Sequence, residues 1–575
     1  MNLFKVYKKK ISLFLNVLKK DNLIEYPENI KKITVELPPK ETEADISCNA
    51  AMILSKSNNM SPLDLGLILK KKLLNYFNEF EKIEVSKQGF LNIKFGIIFW
   101  EKFLLNVIEN KISYGSNNEN VKKYNLEFVS ANPTGPLHVG HCRGAVLGDA
   151  LANLLKFNGN AVTKEYYVND SGGQVKIFIN SVYYRILEIV KKKKFPLDKD
   201  LYPGDYIISI AKEIIKNKII KDYSNFDKIS NILTEEALKI SMNLIQDNLK
   251  MLGITHDNFV YESELILSDA VHKTIKNLEK DNYVYKGRLE APKGELNKDW
   301  KARDQLIFNS TKFGDDTDRA LQKNDGSWTY FASDIAYHGN KINRNFDILI
   351  NILGADHSGY IKRIAAATKA ISKNKTNLIC KVSQLVKLFK NGKPFKMSKR
   401  KGDYITVEDL INEVGKDSVR FMMLSRSNDV ELDFDFKKVS EKSKENPVFY
   451  VQYAYARINS IFRSINIKID DKINTENAKF ILNKYEIEIL KKISEWPRCV
   501  DLASTKLEPH RISFYLYDLV SLFHSYWSLG NENKEYRFTS DNGELNKTRL
   551  MLLQSLAIVI KNGLSILGVS TPSTM

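Results

Sequence analysis

The chain has 575 residues, of which 43% are hydrophobic and 11% aromatic. This length exceeds the roughly 250–300 residues at which a single hydrophobic core stops growing, so several domains are expected. The apolar content excludes a globally disordered chain. Lys and Arg outnumber Asp and Glu by 87 to 69, and the formal net charge of +18 suits a polyanionic partner such as RNA. A Lys-rich and Asn-rich compositional habit of the source explains the same excess equally well.

The four cysteines are far apart and form no C-x-x-C pair, which argues against a zinc ribbon and against a disulfide framework. They are Cys48, Cys142, Cys380 and Cys499. The N-terminal apolar run is short and is interrupted by Asn16, so it predicts an amphipathic surface helix and no signal peptide. No stretch reaches the roughly 18 uninterrupted apolar residues that a membrane-spanning helix needs. We expect a cytoplasmic protein with no membrane anchor and no bound zinc.

The first 115 residues mix helical periodicity with short strands at 33–37 and 90–95. They predict a small N-terminal α+β domain over residues 1–115. From Tyr124 the pattern changes to a strand, a Pro/Gly loop, a helix that stops at Asn158-Gly159, and a second strand at 161–169. This order is a βαβ unit, the building block of a parallel sheet whose ligands bind at the carboxyl ends of the strands.

Residues 171–299 are predicted to be helical, as an insertion, with a solvated basic loop at 191–194. Strand-like segments return at 347–353 and near 383–388, so residues 116–435 are predicted to form one Rossmann-like domain. From 436 to 575 the pattern is helical. The fold class is therefore multidomain α/β, with a parallel-sheet catalytic domain carrying helical insertions, an N-terminal α+β domain and a C-terminal all-α helical bundle.

The loop between the first strand of the parallel sheet and its helix reads ANPTGPLHVGH over residues 131–141. His138 and His141 lie three residues apart at a predicted helix start, where free backbone amides and the positive end of the helix dipole attract anions. Gly140 has no Cβ, so a flat ligand such as adenine can lie against the backbone. For an isolated H-x-G-H pattern, a pair of surface or metal-binding histidines stays an open alternative.

A second basic segment lies far downstream, at residues 396–402, and reads KMSKRKG. Seven cations and no acid occur between Lys387 and Lys401, and a triphosphate would compensate such a local field. Taken alone, a basic surface loop explains this segment as well. Taken together, HxGH and KMSK resemble the two signature motifs of class I aminoacyl-tRNA synthetases. Neither G-x-G-x-x-G nor G-x-x-x-x-G-K-[ST] occurs, so the fingerprints of dinucleotide-binding and P-loop proteins are missing.

The resemblance to arginyl-tRNA synthetases extends over nearly the whole chain. The matching segments, in that family's order, are FVSANPTGPLHVGHCRGAVLGDAL, EYYVNDSGGQV, TKFGDDTDRAL, TYFASDIAYH, GADHSGY and KMSKRKGD. The resemblance implies an arginine–tRNA ligase that activates L-arginine with ATP and esterifies it onto tRNA(Arg). It also implies Mg²⁺ without a tight protein site of its own, and a monomer.

The same resemblance assigns roles to individual residues. The catalytic group is His138, His141, Lys396 and Lys399. The ATP-binding group is Pro136, Gly140, Gly354, Asp356, His357 and Met397. The arginine-binding group is Glu127, Asn132, Tyr330 and Asp334, with Asp334 pairing with the guanidinium, because a permanently charged planar cation needs a carboxylate. Ser358 stands where many relatives have a second His, and Arg400 replaces the Ser of the generic KMSK signature.

The resemblance also assigns tRNA contacts at both ends of the chain. Phe90 and Asn92 are implied contacts to the tRNA elbow, and Tyr453, Arg457 and Met575 are implied contacts to the anticodon, where aromatic and Arg side chains stack on unpaired bases. For most C-terminal tyrosines a place in the helix-bundle core is an open alternative. Asp334 could instead cap a helix, and Tyr330 could be a core aromatic.

Three competing functions remain to be weighed. Among other class I synthetases, the cysteinyl type would need clustered zinc ligands, which are missing. The isoleucyl, valyl and leucyl types carry a large editing insertion, for which this chain has little room. A catalytically silent tRNA-binding relative is disfavoured because His138, His141, Lys396 and Lys399 are all present. A small HxGH nucleotidyltransferase would leave the helical C-terminal part without a purpose.

Overall fold

A computed structural model of the chain describes residues 2–27, 32–196, 200–289, 304–390, 392–394, 405–473, 480–538 and 546–575. The chain divides into two compact units. The first comprises Met1–Asn117, Pro447–Ile566 and Ser570–Met575, and the second comprises Asn118–Asn446 and Leu567–Val569. Lys396, Met397 and Lys399 lie outside the described residues.

The N-terminal segment is an α+β arrangement around a four-stranded antiparallel sheet with strand order β1-β2-β4-β3. The predicted amphipathic helix is present, because its buried side chains recur every three or four residues and face the sheet. The predicted strands at 33–37 and 90–95 are confirmed as β1 and β4. The elements are α1 (Leu3–Lys20), β1 (Val35–Glu36), β2 (Ile46–Cys48), α2 (Ala50–Leu54), α3 (Pro62–Tyr76), β3 (Phe80–Val85), β4 (Leu91–Phe95) and α4 (Ile97–Asn110).

The second unit is built on a parallel sheet with strand order β12-β11-β5-β6-β7. Along the chain the sheet grows from β5 towards β7, and later from β11 towards β12 on the other side. The strand order therefore reverses between β5 and β11, and this switch point is where ligands bind in open α/β sheets. The strands are β5 (Lys123–Glu127), β6 (Ala161–Val168), β7 (Asn258–Tyr261), β11 (Ile348–Gly354) and β12 (Asn377–Ser383).

Helices and two small sheets complete this unit. The helices are α5 (Val139–Phe157), α6 (Gly173–Lys191), α7 (Asp205–Asn217), α8 (Phe226–Met251), α9 (Glu262–Leu267), α10 (Ala270–Lys280), α11 (Tyr330–Asn343), α12 (Ile361–Ser372), α13 (Val407–Val414), α14 (Lys416–Met423) and α15 (Phe436–Ser440). The small sheets have strand orders β10-β9-β8 and β14-β13-β15. Their strands are β8 (Val284–Gly287), β9 (Gln305–Phe308), β10 (Arg319–Ala320), β13 (Val386–Lys390), β14 (Lys393–Pro394) and β15 (Leu432–Asp435).

The prediction that residues 171–299 are helical was wrong for two strands, β7 and β8. Each has four residues, which is too short for a period of two to stand out from the helical pattern around it. β7 becomes a strand because it pairs with β6 over four registered residues. This pairing is a long-range contact that local periodicity does not encode. The basic loop at 191–194 lies just after α6 and is exposed, as predicted.

The C-terminal helices pack with the N-terminal segment in the first unit. They are α16 (Pro447–Ser464), α17 (Lys484–Lys506), α18 (His510–Glu532) and α19 (Lys547–Leu567). The indole N–H of the buried Trp496 donates to the Tyr114 carbonyl at 2.9 Å, and the Tyr114 hydroxyl donates to the Ile493 carbonyl at 3.1 Å. Lys491 adds an ion pair to the buried Asp45 at 2.9 Å.

One described helix, α19, is long and apolar enough by length and composition to cross a membrane. However, 83% of its most apolar window is buried inside the protein. Its apolar side chains are therefore covered by packing within the fold, as in the core helix of a globular protein.

A buried charge cluster holds the second unit together. Asp149 on α5 accepts from the Lys164 ammonium at 3.1 Å and from the Arg420 guanidinium at 2.6 Å. Arg420 also donates to the carbonyls of Leu252 and Leu567. All three charged side chains are less than 10% exposed, so each depends on the others for compensation of its lost hydration.

We predict that Asp149→Ala lowers the free energy of unfolding by about 3–5 kcal/mol, because it leaves two buried cations without their anion. The control is Asp247→Ala, which removes an exposed pair with Lys250 on α8 and should change stability little. Urea denaturation followed by circular dichroism measures both. Equal effects of the two substitutions would contradict the buried-cluster interpretation.

Candidate active site

The candidate site lies at the carboxyl ends of β5 and β11, on either side of the switch point. Helices that connect parallel strands run antiparallel to them, so the first turns of α5 and α11 also point to this edge of the sheet. As a result, the loop after β5, the start of α5 and the start of α11 converge there. These three segments contain most of the predicted catalytic and arginine-binding residues in the described part of this unit.

The two histidines of the HxGH loop are in contact at the N-terminus of α5. Their ring centroids are 3.9 Å apart, with the ring planes 32° apart. His138 is the N-cap residue, and its Nδ1 accepts from the Gly140 amide at 3.1 Å. His141 Nδ1 faces the His138 amide at 3.4 Å. Because each Nδ1 accepts, each neutral ring carries its proton on Nε2. Two imidazole rings therefore lie at the positive end of α5, and the Nε2 atom of His138 is buried.

The turn between β5 and this loop has an unusual backbone. Val129 and Ser130 have φ of +71° and +41°, a region that costs a β-branched residue such as Val on the order of 1–3 kcal/mol. The Ser130 hydroxyl accepts from the Tyr167 amide at 3.1 Å and donates to the Glu127 carboxylate at 3.0 Å. These bonds hold the strained turn, so the side chain of Glu127 is fixed beside the site.

A cleft of about 280 Å³ lies against the HxGH loop. Four predicted site residues line it: Asn132, Pro136, His138 and His141. The opposite wall comes from the helical insertion and includes Tyr202 and Tyr206, which the sequence prediction did not identify. Asn132 donates to the Gln174 side chain at 2.5 Å across this cleft.

Asp334 is a partly buried carboxylate in an acidic environment. Its pKa is raised to about 7, with burial as the largest cause; the charges of Glu127 and Glu262 also raise this pKa, and a hydrogen bond from the Tyr360 hydroxyl and the charge of Lys341 lower it. No Lys, Arg or His in the described part of the chain forms an ion pair with this carboxylate within 4.0 Å. The arrangement favours a cation at Asp334, because a cation would relieve the repulsion among the acids.

The alternative roles for Asp334 and Tyr330 do not fit the structure. The N-cap of α11 is Thr329, whose side chain accepts from the Ala332 amide, so Asp334 lies inside the helix. Tyr330 is 52% exposed and is not a core aromatic. Its hydroxyl lies close to Gly172, where a Cβ would approach that oxygen to 2.6 Å. Gly172 therefore has to be small for the loop at the start of α6 to meet Tyr330.

Gly354 ends β11, and Asp356 and His357 follow on a short 3-10 helix, Ala355–Tyr360. Both side chains are largely exposed. They lie at the carboxyl end of the strand that pairs with β5, on the side of the switch point away from β6. Within the described residues, no three His, Cys, Asp or Glu side chains are grouped as a metal site.

The chain on both sides of the KMSK segment is held close to the HxGH loop. Downstream, the Val139 amide donates to the Ile405 carbonyl at 3.1 Å, and the Val407 amide donates to the Leu137 carbonyl at 2.9 Å. Upstream, the buried Arg143 guanidinium donates to the Gln384 carbonyl, just before β13. Lys399 is six residues before Ile405 in the sequence and lies outside the described residues.

The predicted tRNA contacts that lie in the first unit differ in exposure. Phe90 is partly exposed, whereas Asn92 is buried and its side-chain oxygen accepts from the Ser47 hydroxyl at 2.7 Å. The Arg457 guanidinium lies over the rings of Tyr453 and Trp527. The terminal Met575 is exposed.

The His524 ring supports Arg457. Its Nδ1 is 3.1 Å from the Arg457 guanidinium, and its Nε2 is 3.0 Å from the Tyr450 carbonyl. Because guanidinium only donates, Nδ1 accepts and Nε2 carries the proton. Burial lowers the pKa of His524 to about 4, so the ring is neutral near pH 7.

Comparison with known proteins gives matches along the whole chain. The family described as tRNA synthetases class I (R), catalytic domain, matches residues 104–462. An arginyl tRNA synthetase N terminal domain matches residues 5–95, and a DALR anticodon binding domain matches residues 451–575. An arginine–tRNA ligase of Pelagibacter ubique is 54% identical over 577 residues, and one of Bartonella tribocorum is 44% identical over 590 residues, each covering 100% of both chains. The Thermus thermophilus arginyl-tRNA synthetase shares the fold, with a TM-score of 0.70 at 19% identity over 100% of both chains.

The parallel sheet with two histidines at the mouth of its first helix, together with the catalytic-domain match, defines a class I aminoacyl-tRNA synthetase. The full-length relatives narrow this class further. The chain belongs to the arginyl-tRNA synthetase family. The predicted fold class is confirmed: a parallel-sheet catalytic domain, an N-terminal α+β segment and C-terminal helices are all present.

Two of the residues that sequence analysis missed, His338 and Lys341, share one signal. His338 and Lys341 lie four and seven residues after Asp334, so all three face the same side of α11. Polar residues at this spacing in a helix that is otherwise buried indicate a buried polar contact. Tyr360 and Glu262 carry no comparable signal, because their approach to Asp334 depends on the tertiary fold.

We predict that Gly172→Ala lowers the free energy of unfolding by about 1–2 kcal/mol. Gly172 has φ of +89°, which disfavours an L side chain, and the new methyl group would meet the Tyr330 hydroxyl. The adjacent Gly173→Ala is the control, because no atom lies within 4 Å of a Cβ there. Thermal and urea unfolding compare the two variants, and a Gly172→Ala protein as stable as wild type would contradict the close contact.

Proposed function

We propose that this chain carries out the arginine–tRNA ligase reaction at the carboxyl ends of β5 and β11, where the HxGH loop and the start of α11 lie. The arginine carboxylate attacks the α-phosphorus of ATP, forming arginyl-adenylate and releasing pyrophosphate. A ribose hydroxyl at the 3′ end of tRNA(Arg) then attacks the adenylate carbonyl and releases AMP. The observation that carries the proposal is that two imidazole rings at a helix mouth lie at the same edge of the sheet as α11, whose Asp334 carboxylate has no cation partner among the described residues.

The part of the proposed site that contains His138 and His141 suits phosphate chemistry. Negative charge builds up on phosphoryl oxygens in the transition state, so the reaction needs positioned donors more than a nucleophilic side chain. The imidazole rings of His138 and His141 lie at the positive end of α5, where anions are favoured. We assign Lys396 and Lys399 as the cations that complete this side. The backbone hydrogen bonds between 137–139 and 405–407 support this assignment, because they hold the chain that follows the basic segment against the HxGH loop.

ATP would lie across the switch point. We assign its adenosine and phosphate contacts to Pro136, Gly140, Gly354, Asp356, His357 and Met397. Gly140 offers backbone without a Cβ at the start of α5, and Gly354 to His357 lie at the end of the adjacent strand β11. Mg²⁺ would arrive with the triphosphate and neutralise the departing pyrophosphate. No zinc is needed for this chemistry.

The part of the proposed site that lies at the start of α11 suits arginine. A guanidinium is planar and permanently charged, and Asp334 offers it a carboxylate with one oxygen already oriented by the Tyr360 hydroxyl. Tyr330, at the start of the same helix, is exposed enough to cover the aliphatic part of the substrate. Glu127 and Asn132, at the end of β5 and in the following loop, would hold the α-amino group and carboxylate.

For the whole chain we propose three functional parts, with boundaries at 1–115, 116–435 and 436–575. The first would contact the tRNA elbow through Phe90, and the buried Asn92 would support it by fixing β4. The third would contact the anticodon through Tyr453, Arg457 and Met575. The Arg457 guanidinium lies over the rings of Tyr453 and Trp527, and this supports the assignment, because surfaces of aromatic and Arg side chains bind unpaired bases. We further propose that the protein acts as a monomer in the cytoplasm.

Purified protein incubated with ATP, Mg²⁺, mixed tRNA and each labelled amino acid in turn should charge tRNA with arginine alone. His141→Ala should lower the rate of arginine activation by about 10²-fold, the cost typical of losing one transition-state donor. Its affinity for tRNA should stay near that of wild type, as measured by filter binding. Charging with another amino acid would refute the proposed function, and a defect confined to RNA binding would refute the catalytic role of His141.

The raised pKa of Asp334 predicts a pH dependence. Below about pH 7 this carboxyl takes up a proton and loses its attraction for a guanidinium. The KM for arginine should therefore rise about tenfold for each pH unit below this value, while at higher pH it should be constant. In Asp334→Asn the KM should be high and independent of pH over this range. A wild-type KM that is flat from pH 6 to 8 would contradict the assignment.

A further inference from the structure

One face of α11 connects the two predicted acidic groups of the arginine pocket. The Lys341 ammonium is fully buried and donates to the Glu127 carboxylate at 2.5 Å and to the Asn351 side-chain oxygen at 3.0 Å. The Asn351 amide nitrogen is 2.9 Å from His338 Nε2. The other ring nitrogen of His338 is 2.8 Å from the carbonyl of Asp334. The chain of contacts thus runs from Glu127 on β5 to the backbone of Asp334.

Every proton in this chain of contacts has one consistent position. An ammonium only donates, so the Asn351 oxygen accepts and its NH₂ group must donate to His338 Nε2. The His338 proton is then on Nδ1 and is donated to the Asp334 carbonyl. Burial lowers the pKa of His338 to about 3, which agrees with a neutral ring. Lys341 is therefore the one cation in this chain of four side chains, and Glu127 is the one anion.

The charges around Asp334 come from several elements. The charged groups are Glu127 on β5, Glu262 on α9 and Lys341 on its own helix, and the neutral titratable groups are Tyr167 on β6, Tyr360 before α12 and His338 on its own helix. Arg363 lies over the Tyr360 ring at 4.9 Å. Lys341 also faces Tyr337, Glu165 and Cys380. Glu165 is matched by Arg344 at 2.5 Å, so the charge that Lys341 compensates most directly is that of Glu127.

We propose that Lys341 is a positioning residue for the arginine pocket, which compensates the charge of Glu127 so that Asp334 beside it can ionise and pair with the guanidinium. This inference rests on the proposed function, because it explains how the arginine pocket keeps its charge. Lys341 does not touch the substrate: it is buried beneath Glu127 and acts through it. Asn351 and His338 extend this support to the helix turn that carries Asp334.

The proposal has a consequence that loss of packing alone would not produce. Without the ammonium group, Glu127 becomes an uncompensated anion close to Asp334, and like charges at short range raise a carboxyl pKa. Asp334 would then stay protonated at neutral pH. Arginine use would be lost at neutral pH and recovered at higher pH, where Asp334 ionises. A purely structural defect would instead reduce arginine use equally at all pH values.

The test compares full-length wild type with Lys341→Met, which keeps the length and apolar character of the side chain but removes its charge. The pH profile of kcat/KM for arginine is measured from pH 6 to 9.5. In Lys341→Met its midpoint should move up by at least about one pH unit, with kcat/KM about fivefold or more lower at pH 7 and largely recovered at pH 9.5. The KM for ATP should change less than about twofold. The control is Lys373→Met, which removes an exposed lysine paired with Asp281 and should leave the profile as in wild type.

Two Glu127 variants complete the test. In Lys341→Met/Glu127→Gln both charges are gone, so the midpoint should return towards the wild-type value even if the magnitude of kcat/KM is low. Glu127→Gln alone should shift the midpoint below wild type, and this variant keeps the proposal testable if Lys341→Met does not fold. An unchanged midpoint in Lys341→Met, or an upward shift in Glu127→Gln, would overturn the inference. Wild type that does not charge tRNA with arginine would refute the proposed function itself.

Discussion

The reversal of strand order between β5 and β11 is the constraint on which the site depends. Connections on the two sides of such a switch leave a crevice at the carboxyl ends of the strands. The chain turns directly after β5, before it reaches the start of α5. Val129 and Ser130 adopt left-handed backbone at this turn. Hydrogen bonds from Ser130 to Glu127 and β6 hold this turn. The helix mouth with His138 therefore has a defined place beside the start of α11.

Buried charges in the second unit are mostly compensated from within. Asp149 is matched by Lys164 and Arg420, and Glu165 by Arg344. Asp334 differs, because its nearest partners are a hydroxyl group and other acids. Ionising such a group costs more than ionising a matched one, so a cationic ligand gains more by binding there. If the guanidinium pairs with Asp334 as proposed, discrimination in favour of a permanently charged substrate follows from how the protein distributes its own cations.

The two ends of the chain form one unit, with consequences for RNA recognition. The Trp496 indole bonded to Tyr114 and the ion pair of Lys491 with Asp45 join the C-terminal helices to the N-terminal segment. Predicted contacts to two parts of the tRNA thus belong to one packed body, and the spacing between them is set by that packing. A buried Trp and a buried ion pair make this contact expensive to break.

Sequence by itself determined the class of fold and the place of the HxGH loop, and it predicted Asp334 as the partner of the guanidinium. Each is local: the β-to-α change of period, the Pro/Gly loop and the family segments are contiguous. Only the tertiary structure decided that Asn92 is buried, that β7 is a strand of the main sheet, and that Lys341 lies under Glu127. Each of these features depends on groups that are far apart in the sequence. Glu127 and Lys341, for example, are 214 residues apart and their side chains meet at 2.5 Å. No local pattern encodes that meeting, because it is the packing of α11 against the sheet that creates it.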